Sequence, residues 1–140
     1  MKYRLLEHTA DLKVEIFGRD LPELFANAAF MLFDVMVDLK QVREVQIEEV
    51  KIASADLSEL FLDWLRELIF RFSTRGLVTS RVLINILESE PASIDATIYG
   101  EPYEPLRHGL KIEVKTPTYH QFAIKQQQDG SWQATVIFDV

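Results

Sequence analysis

The amino-acid sequence predicts an α+β fold: a single domain of largely antiparallel β-sheets packed with two amphipathic α-helices. Three observations carry that prediction. Two helical stripes, each opened by a capping box, lie in the first half of the chain. Runs with the two-residue alternation of strands precede, separate and follow them. The second half is nearly all strand-like, and Asp129-Gly130 is a two-residue hairpin signal of the type I′ kind joining its last two runs.

Taken in order, Tyr3–Leu6 and Leu12–Phe17 read as a first pair of strands, the second alternating apolar and polar. Asp20-Leu21-Pro22-Glu23 opens the first helix. Asp20 suits the N-cap, Glu23 the third helical position, and proline is tolerated where amides have no intrahelical acceptor. Leu24, Phe25, Ala28, Leu32, Val35 and Met36 then recur at helical spacing to about Val37. Val42 to Ile52 reads as a strand whose apolar parity shifts across Glu48-Glu49, which predicts a bulge or a twist there.

Asp56-Leu57-Ser58-Glu59 is the second capping box. Leu60, Phe61, Trp64, Leu65, Leu68, Ile69 and Phe72 follow as the strongest helical stripe in the chain. Gly76 fits the helix C-cap, with Arg71 and Arg75 favourable at the negative end of the dipole. Val78–Leu87, Ser93–Tyr99, Leu110–Lys115, Tyr119–Gln127 and Trp132–Phe138 are the remaining predicted strands. Pro102, Pro105 and Gly109 mark a loop around His108.

The 140 residues suit one domain spanning 1–140, and 48% hydrophobic content places it among globular chains. The absence of cysteine excludes a disulfide framework, a thiol nucleophile and a thiolate zinc site. No apolar run approaches the roughly 20 residues of a membrane span. The Met1–Glu7 stretch lacks the apolar core of a secretion signal, so a cytoplasmic location is expected, with no membrane partner. A formal net charge of -7 disfavours strong direct nucleic-acid binding, which depends on lysines and arginines neutralising phosphates. The chain has no Gly-rich phosphate loop, GxSxG elbow or HExxH helix.

What remains is a set of polar residues at strand ends: Glu7, His8 and Asp11 early, Lys115, Tyr119 and His120 late, and Asp139 beside Val140. Glu7-His8-Thr9-Ala10-Asp11 reads either as a solvated turn or as groups converging on a cation. Asp139 follows the apolar run Val136-Ile137-Phe138 with the terminal carboxylate next to it. Such negative charge is either solvated or held by a divalent cation, which prefers oxygen ligands. Glu67 reads as a helix-surface acid paired with Arg71 at i+4, or as a site residue. Lys115 to His120 is either a loop covering core or a pocket rim.

Together these residues resemble the archease family over the full length of the chain. The resemblance rests on Glu7-His8-Thr9-Ala10-Asp11, Leu21 to Ala29, Trp64-Leu65-Arg66-Glu67-Leu68 and Gly76-Leu77-Val78. Gly100-Glu101, Lys115 with Thr118-Tyr119-His120, and Ile137-Phe138-Asp139-Val140 complete it. The resemblance implies an accessory protein rather than an enzyme. Its expected partner is an RtcB-type RNA ligase of tRNA splicing and RNA repair, whose guanylation and multiple turnover it promotes. It would meet tRNA only through the ligase. The family is also described as chaperone-like. The resemblance further implies a divalent cation, calcium in crystals, with magnesium or manganese as alternatives.

Asp11, Asp139 and Val140 are the implied metal ligands, Val140 through a main-chain or terminal oxygen. Glu7, His8, Glu67, Lys115 and His120 are further functional candidates. Thr116-Pro117 departs from the small and β-branched pair the family resemblance leads one to expect there. Two alternatives stand beside this reading. One is a small metal-dependent phosphoester hydrolase using His8 or His120 as general base. The other is a chaperone-like adaptor without a metal role.

Overall fold

A helix buried on nearly all sides organises the structure. In the computed structural model, which describes residues 1–6 and 11–140, Leu21–Met36 (α1) buries residues around its whole circumference, from Leu24 and Phe25 to Val35 and Met36. It does so because it packs on two sheets at once. The first contains β1 (Tyr3–Leu6), β2 (Leu12–Gly18), β8 (Trp132–Asp139) and β6 (Thr116–Pro117) in that order, with β7 (Ala123–Gln126) also pairing β8. The second contains β3 (Gln46–Ala53), β5 (Ala92–Pro102) and β4 (Leu77–Ser89) in that order. α1 packs against β2 of one sheet and β4 of the other. Every strand pairing among the described residues is antiparallel, as the alternating runs predict.

The second helix, α2 (Leu57–Arg75), buries one stripe from Leu60 to Ile69 and packs against α1, β4, β5 and β6. Both helices are N-capped by the predicted aspartates. Asp20 accepts from the Glu23 amide at 2.9 Å and Asp56 from the Glu59 amide at 2.8 Å. Gly76 ends α2 at φ 71°, where its amide reaches the Phe72 carbonyl at 2.8 Å. The helices are joined through Trp64, which is fully buried and donates its indole N–H to the Phe25 carbonyl at 2.9 Å. Gly100 allows β5 and β4 to close: a Cβ there would stand 1.8 Å from the Val78 carbonyl oxygen.

Several elements differ from expectation. Leu110–Lys115 forms no strand, although Val114 is buried. Its backbone is held at two separate places instead, Lys111 N–H donating to the Met36 carbonyl at the end of α1 at 2.7 Å and Lys115 N–H to the Asp139 carbonyl at 2.9 Å. Tyr119–Gln127 is a strand only over Ala123–Gln126, because residues 119–121 turn. β3 starts at Gln46, and Leu39–Gln41 is a 3-10 turn (3 residues per turn).

The bulge expected at Glu48-Glu49 is absent from the β3–β5 register. Register shifts occur in β4 instead, at Thr79/Arg81 and Ile84/Ile86. Exposure explains the misleading parity, because Ile47 is an apolar residue on the open face. The final hairpin uses three loop residues rather than two. Gly130, at φ 90°, donates to the Gln127 carbonyl, and Gln127 N–H reaches the Ser131 carbonyl. The residues around His108 form a helical turn, α3 (Pro105–His108). Among the described residues, no helix is long and apolar enough to cross a membrane.

Candidate functional site at the end of the last strand

β8 ends in the middle of its sheet, and that position gives Asp139 neighbours on both sides. Along β2 and β8 the register runs unbroken from Gly18 opposite Trp132 to Leu12 opposite Phe138. One step further along both chains come Asp11 and Asp139. On the other side Thr116 pairs with Asp139, and Lys115 N–H donates to the Asp139 carbonyl at 2.9 Å. Thr118 reinforces the clamp, its amide and hydroxyl both donating to the Ile137 carbonyl at 2.9 and 2.8 Å. Phe138 is fully buried against the helices, so strand alternation turns Asp139 to the opposite, outward face, where it is exposed.

The structure therefore brings Asp11, Lys115, Asp139 and Val140 to one end of the sheet from three separate parts of the chain. Glu7 and His8, with Thr9 and Ala10, lie outside the described residues. Two carboxylates with nearby main-chain oxygens and no thiolate form a donor set for a hard cation such as calcium or magnesium. Among the described residues no group of three or more His, Cys, Asp or Glu side chains gathers. Main-chain oxygens would add donors for a cation held by Asp11 and Asp139, and Val140 is the residue next to Asp139 in sequence.

His120 sits on the exposed turn that follows this clamp. The turn is fastened to β2 by Lys13, whose ammonium donates to Gln121 Oε1 at 2.9 Å, and Gln121 itself adopts φ 55°. Because Lys13 pairs with Ile137, this fastening lies two residues from Asp139 along β8. Tyr119 turns towards α2, donating its hydroxyl to Glu59 at 3.0 Å beneath the Arg66 guanidinium. Phe122 stacks on Phe61.

Glu67 takes the helix-surface role. It accepts from Arg71 Nε at 2.7 Å, and Arg71 in turn meets Glu48 of β3 at 2.7 Å. Arg75 also holds Glu48 and keeps its carboxyl below the usual range. These contacts tie Glu67 to the second sheet rather than to the end of β8.

A buried charge cluster went unrecognised in the sequence. Glu101 and His108 are 5% and 1% exposed, and Arg107 clasps both Glu101 oxygens at 2.6 and 2.8 Å. The Arg107 hydrogen bonds, helped by the Arg43 amide and His108, hold the Glu101 carboxyl far below the usual carboxylate range. His108 Nδ1 accepts the Glu104 amide at 2.9 Å, which leaves Nε2 to carry the proton and donate to Glu101 at 3.2 Å. Arg107 also donates to the Gln41 carbonyl at 2.8 Å, and Asp38 N–H to the His108 carbonyl at 2.8 Å.

The cluster thus staples the α1–β3 connection to the segment leading to Lys115. The one signal in the sequence was the pair Gly100-Glu101 followed closely by His108 between Pro105 and Gly109.

Comparison with known proteins agrees with this architecture. The model of the archease protein family matches residues 3–140. The archease of Methanosarcina acetivorans is 38% identical over 141 aligned positions, covering 99% of this chain and 96% of its own. That of Methanopyrus kandleri is 34% identical, with both chains covered completely. The solution structure of protein 1598 from Methanobacterium thermoautotrophicum superposes with a TM-score of 0.85 at 33% identity, covering 99% of both chains. The crystal structure of an archease from Thermotoga maritima, described as a possible chaperone, shares the fold. Its TM-score is 0.66 at 23% identity, over 96% of this chain and 94% of its own. This chain belongs to the archease family.

Proposed function

We propose that this protein is a non-catalytic accessory factor acting in the cytoplasm on an RtcB-type RNA ligase. In this reading it promotes guanylation and multiple turnover of the ligase during tRNA splicing. It uses a divalent cation bound by Asp11, Asp139 and a main-chain oxygen of Val140. The observation that carries the reading is the β2–β8 register, in which the residues next after the Leu12–Phe138 pair are Asp11 and Asp139. Family membership and the resemblance of the motifs support the choice of partner. The acidic net charge of -7 favours contact with the ligase protein over contact with RNA. The possible-chaperone description of the Thermotoga maritima archease points the same way, towards action on another protein.

When bound, the cation supplies a fixed positive charge where two carboxylates would otherwise repel. This chain's residues do the rest. Asp11 and Asp139 would hold the cation, Lys115 pins the Asp139 backbone through its amide, and Thr118 holds the Ile137 carbonyl two residues before it. The test measures guanylated ligase at limiting enzyme, with and without this protein. Stimulation by wild type that is lost in Asp11→Ala and Asp139→Ala supports the reading. Undiminished stimulation by both variants overturns the metal mechanism. Phosphoester turnover by the isolated protein would replace the accessory role with a hydrolytic one.

A further inference from the structure

We propose that the open edge of β3 is a self-association surface whose partner is a second copy of this chain, paired antiparallel about Val50. β3 and β4 are the two edges of the three-stranded sheet. β4 is interrupted by register shifts at Thr79/Arg81 and Ile84/Ile86, and bulges of this kind spoil an edge for strand addition. In the other sheet, β1 and β7 have four residues each and β6 has two. β3 differs: it holds eight consecutive pairs with β5 without a break.

The hydrogen-bond pattern says which groups that edge offers. Ser54 N–H donates to the Ala92 carbonyl at 3.0 Å, so the even-numbered residues of β3 turn their peptide groups towards β5. The amides and carbonyls of Ile47, Glu49, Lys51 and Ala53 therefore face outwards along the edge. Arg71 confirms the direction, because its guanidinium reaches the Glu49 carbonyl from α2 at 3.1 Å. That carbonyl keeps a second lone pair for a strand amide.

The side chains of the same four residues lie on the face opposite the buried Val50. Ile47 is 66% exposed there. Glu49 has no ion-pair partner among the described residues, and Lys51 meets Asp95 only at 4.0 Å.

Charge then selects one register. A two-fold pairing centred on Glu49 sets that carboxylate against its own copy, and one centred on Lys51 opposes two ammonium groups. Centring on Glu48 leaves Glu49 opposite Ile47, and centring on Ile52 leaves Lys51 opposite Ala53. Centring on Val50 places Glu49 opposite Lys51 twice and Ile47 opposite Ala53 twice. Opposite charges directly across a strand pair stabilise it and like charges destabilise it. The interface is self-complementary, as a two-fold requires, and joins two sheets into one of six strands. Each Lys51 then stands between its own Asp95 and the Glu49 of the second copy.

Sedimentation velocity on the full chain, up to a concentration on the order of 1 mM, reads the equilibrium. Wild type is expected to dimerise reversibly. Glu49→Lys and Lys51→Glu each weaken the dimer by about tenfold or more, because each creates like-charge pairs. The double variant Glu49→Lys/Lys51→Glu restores it. An equimolar mixture of the two single variants forms a heterodimer tighter than either homodimer. Circular dichroism confirms folding, since both positions are exposed. A wild type monomeric throughout the range overturns the proposal, as does a dimer indifferent to the single substitutions or not rescued by the swap.

Discussion

Leu12 and Phe138 stand opposite one another across β2 and β8, and the next residue on each strand is an aspartate. Extending an antiparallel register by one residue keeps the two side chains on the same face. A cation shared by Asp11 and Asp139 would bind only the folded chain, so under the proposed function calcium is expected to stabilise wild type by about 2.7 kcal/mol at 100 times its dissociation constant. Thermal unfolding across a calcium titration reads this as a rise in Tm of roughly 10 °C. Asp139→Asn should flatten the titration while leaving the metal-free Tm nearly unchanged. A full calcium response in Asp139→Asn would refute the assignment.

Glu101 carries a different kind of stability. Its carboxyl is depressed in the folded state from an ordinary value near 4.5, so its contribution is complete above that pH and is lost as pH falls through the folded value. Glu101→Gln removes the charge-assisted bonds to Arg107 and is expected to cost about 2 kcal/mol near neutral pH. The gap between wild type and variant, from urea melts, should hold constant from neutrality to about pH 5 and narrow below about 4.5. A gap that widens on acidification contradicts the sign.

Trp64 joins the two helices by one hydrogen bond and a large buried volume. Trp64→Phe keeps the ring but leaves the Phe25 carbonyl without its indole donor, and is expected to destabilise by about 2 kcal/mol. Chemical denaturation should show the loss in the midpoint with little change in slope.

Gly100 and Gly130 separate close approach from backbone conformation. A Cβ at Gly100 meets backbone at 1.8 Å, so Gly100→Ala must shift β4 and should cost about 3 kcal/mol or prevent folding. At Gly130, where φ is 90° and nothing lies within 4 Å, Gly130→Asn is expected to cost about 1 kcal/mol. Melting temperatures of the pair give the comparison.

Glu67 is engaged with Arg71, so Glu67→Ala is expected to leave ligase stimulation unchanged and to alter stability by less than about 1 kcal/mol. A loss of stimulation equal to that of Asp139→Ala would return Glu67 to the site.

The sequence by itself determined the class of fold, both aspartate N-caps, the C-cap glycine and the apolar stripes of α1 and α2. Each of these is a contact between residues a few positions apart, so local spacing encodes it. It also carried the motifs that resemble the archease family, and the family match over residues 3–140 agrees with them.

Tertiary structure alone decided four things. It set Asp139 at the end of a central strand, opposite Thr116 on one side and one residue beyond the Leu12–Phe138 pair on the other, a pairing that joins residues more than 100 positions apart. It gave Glu67 to Arg71 and β3, and it buried Glu101 with His108 and Arg107 beneath the α1–β3 connection. It also kept Leu110–Lys115 from forming a strand, with Lys111 N–H bound to the Met36 carbonyl at the end of α1 and Lys115 N–H to the Asp139 carbonyl of β8. Propensity describes what a segment can form, and only the assembled layers decide which polar groups it must meet.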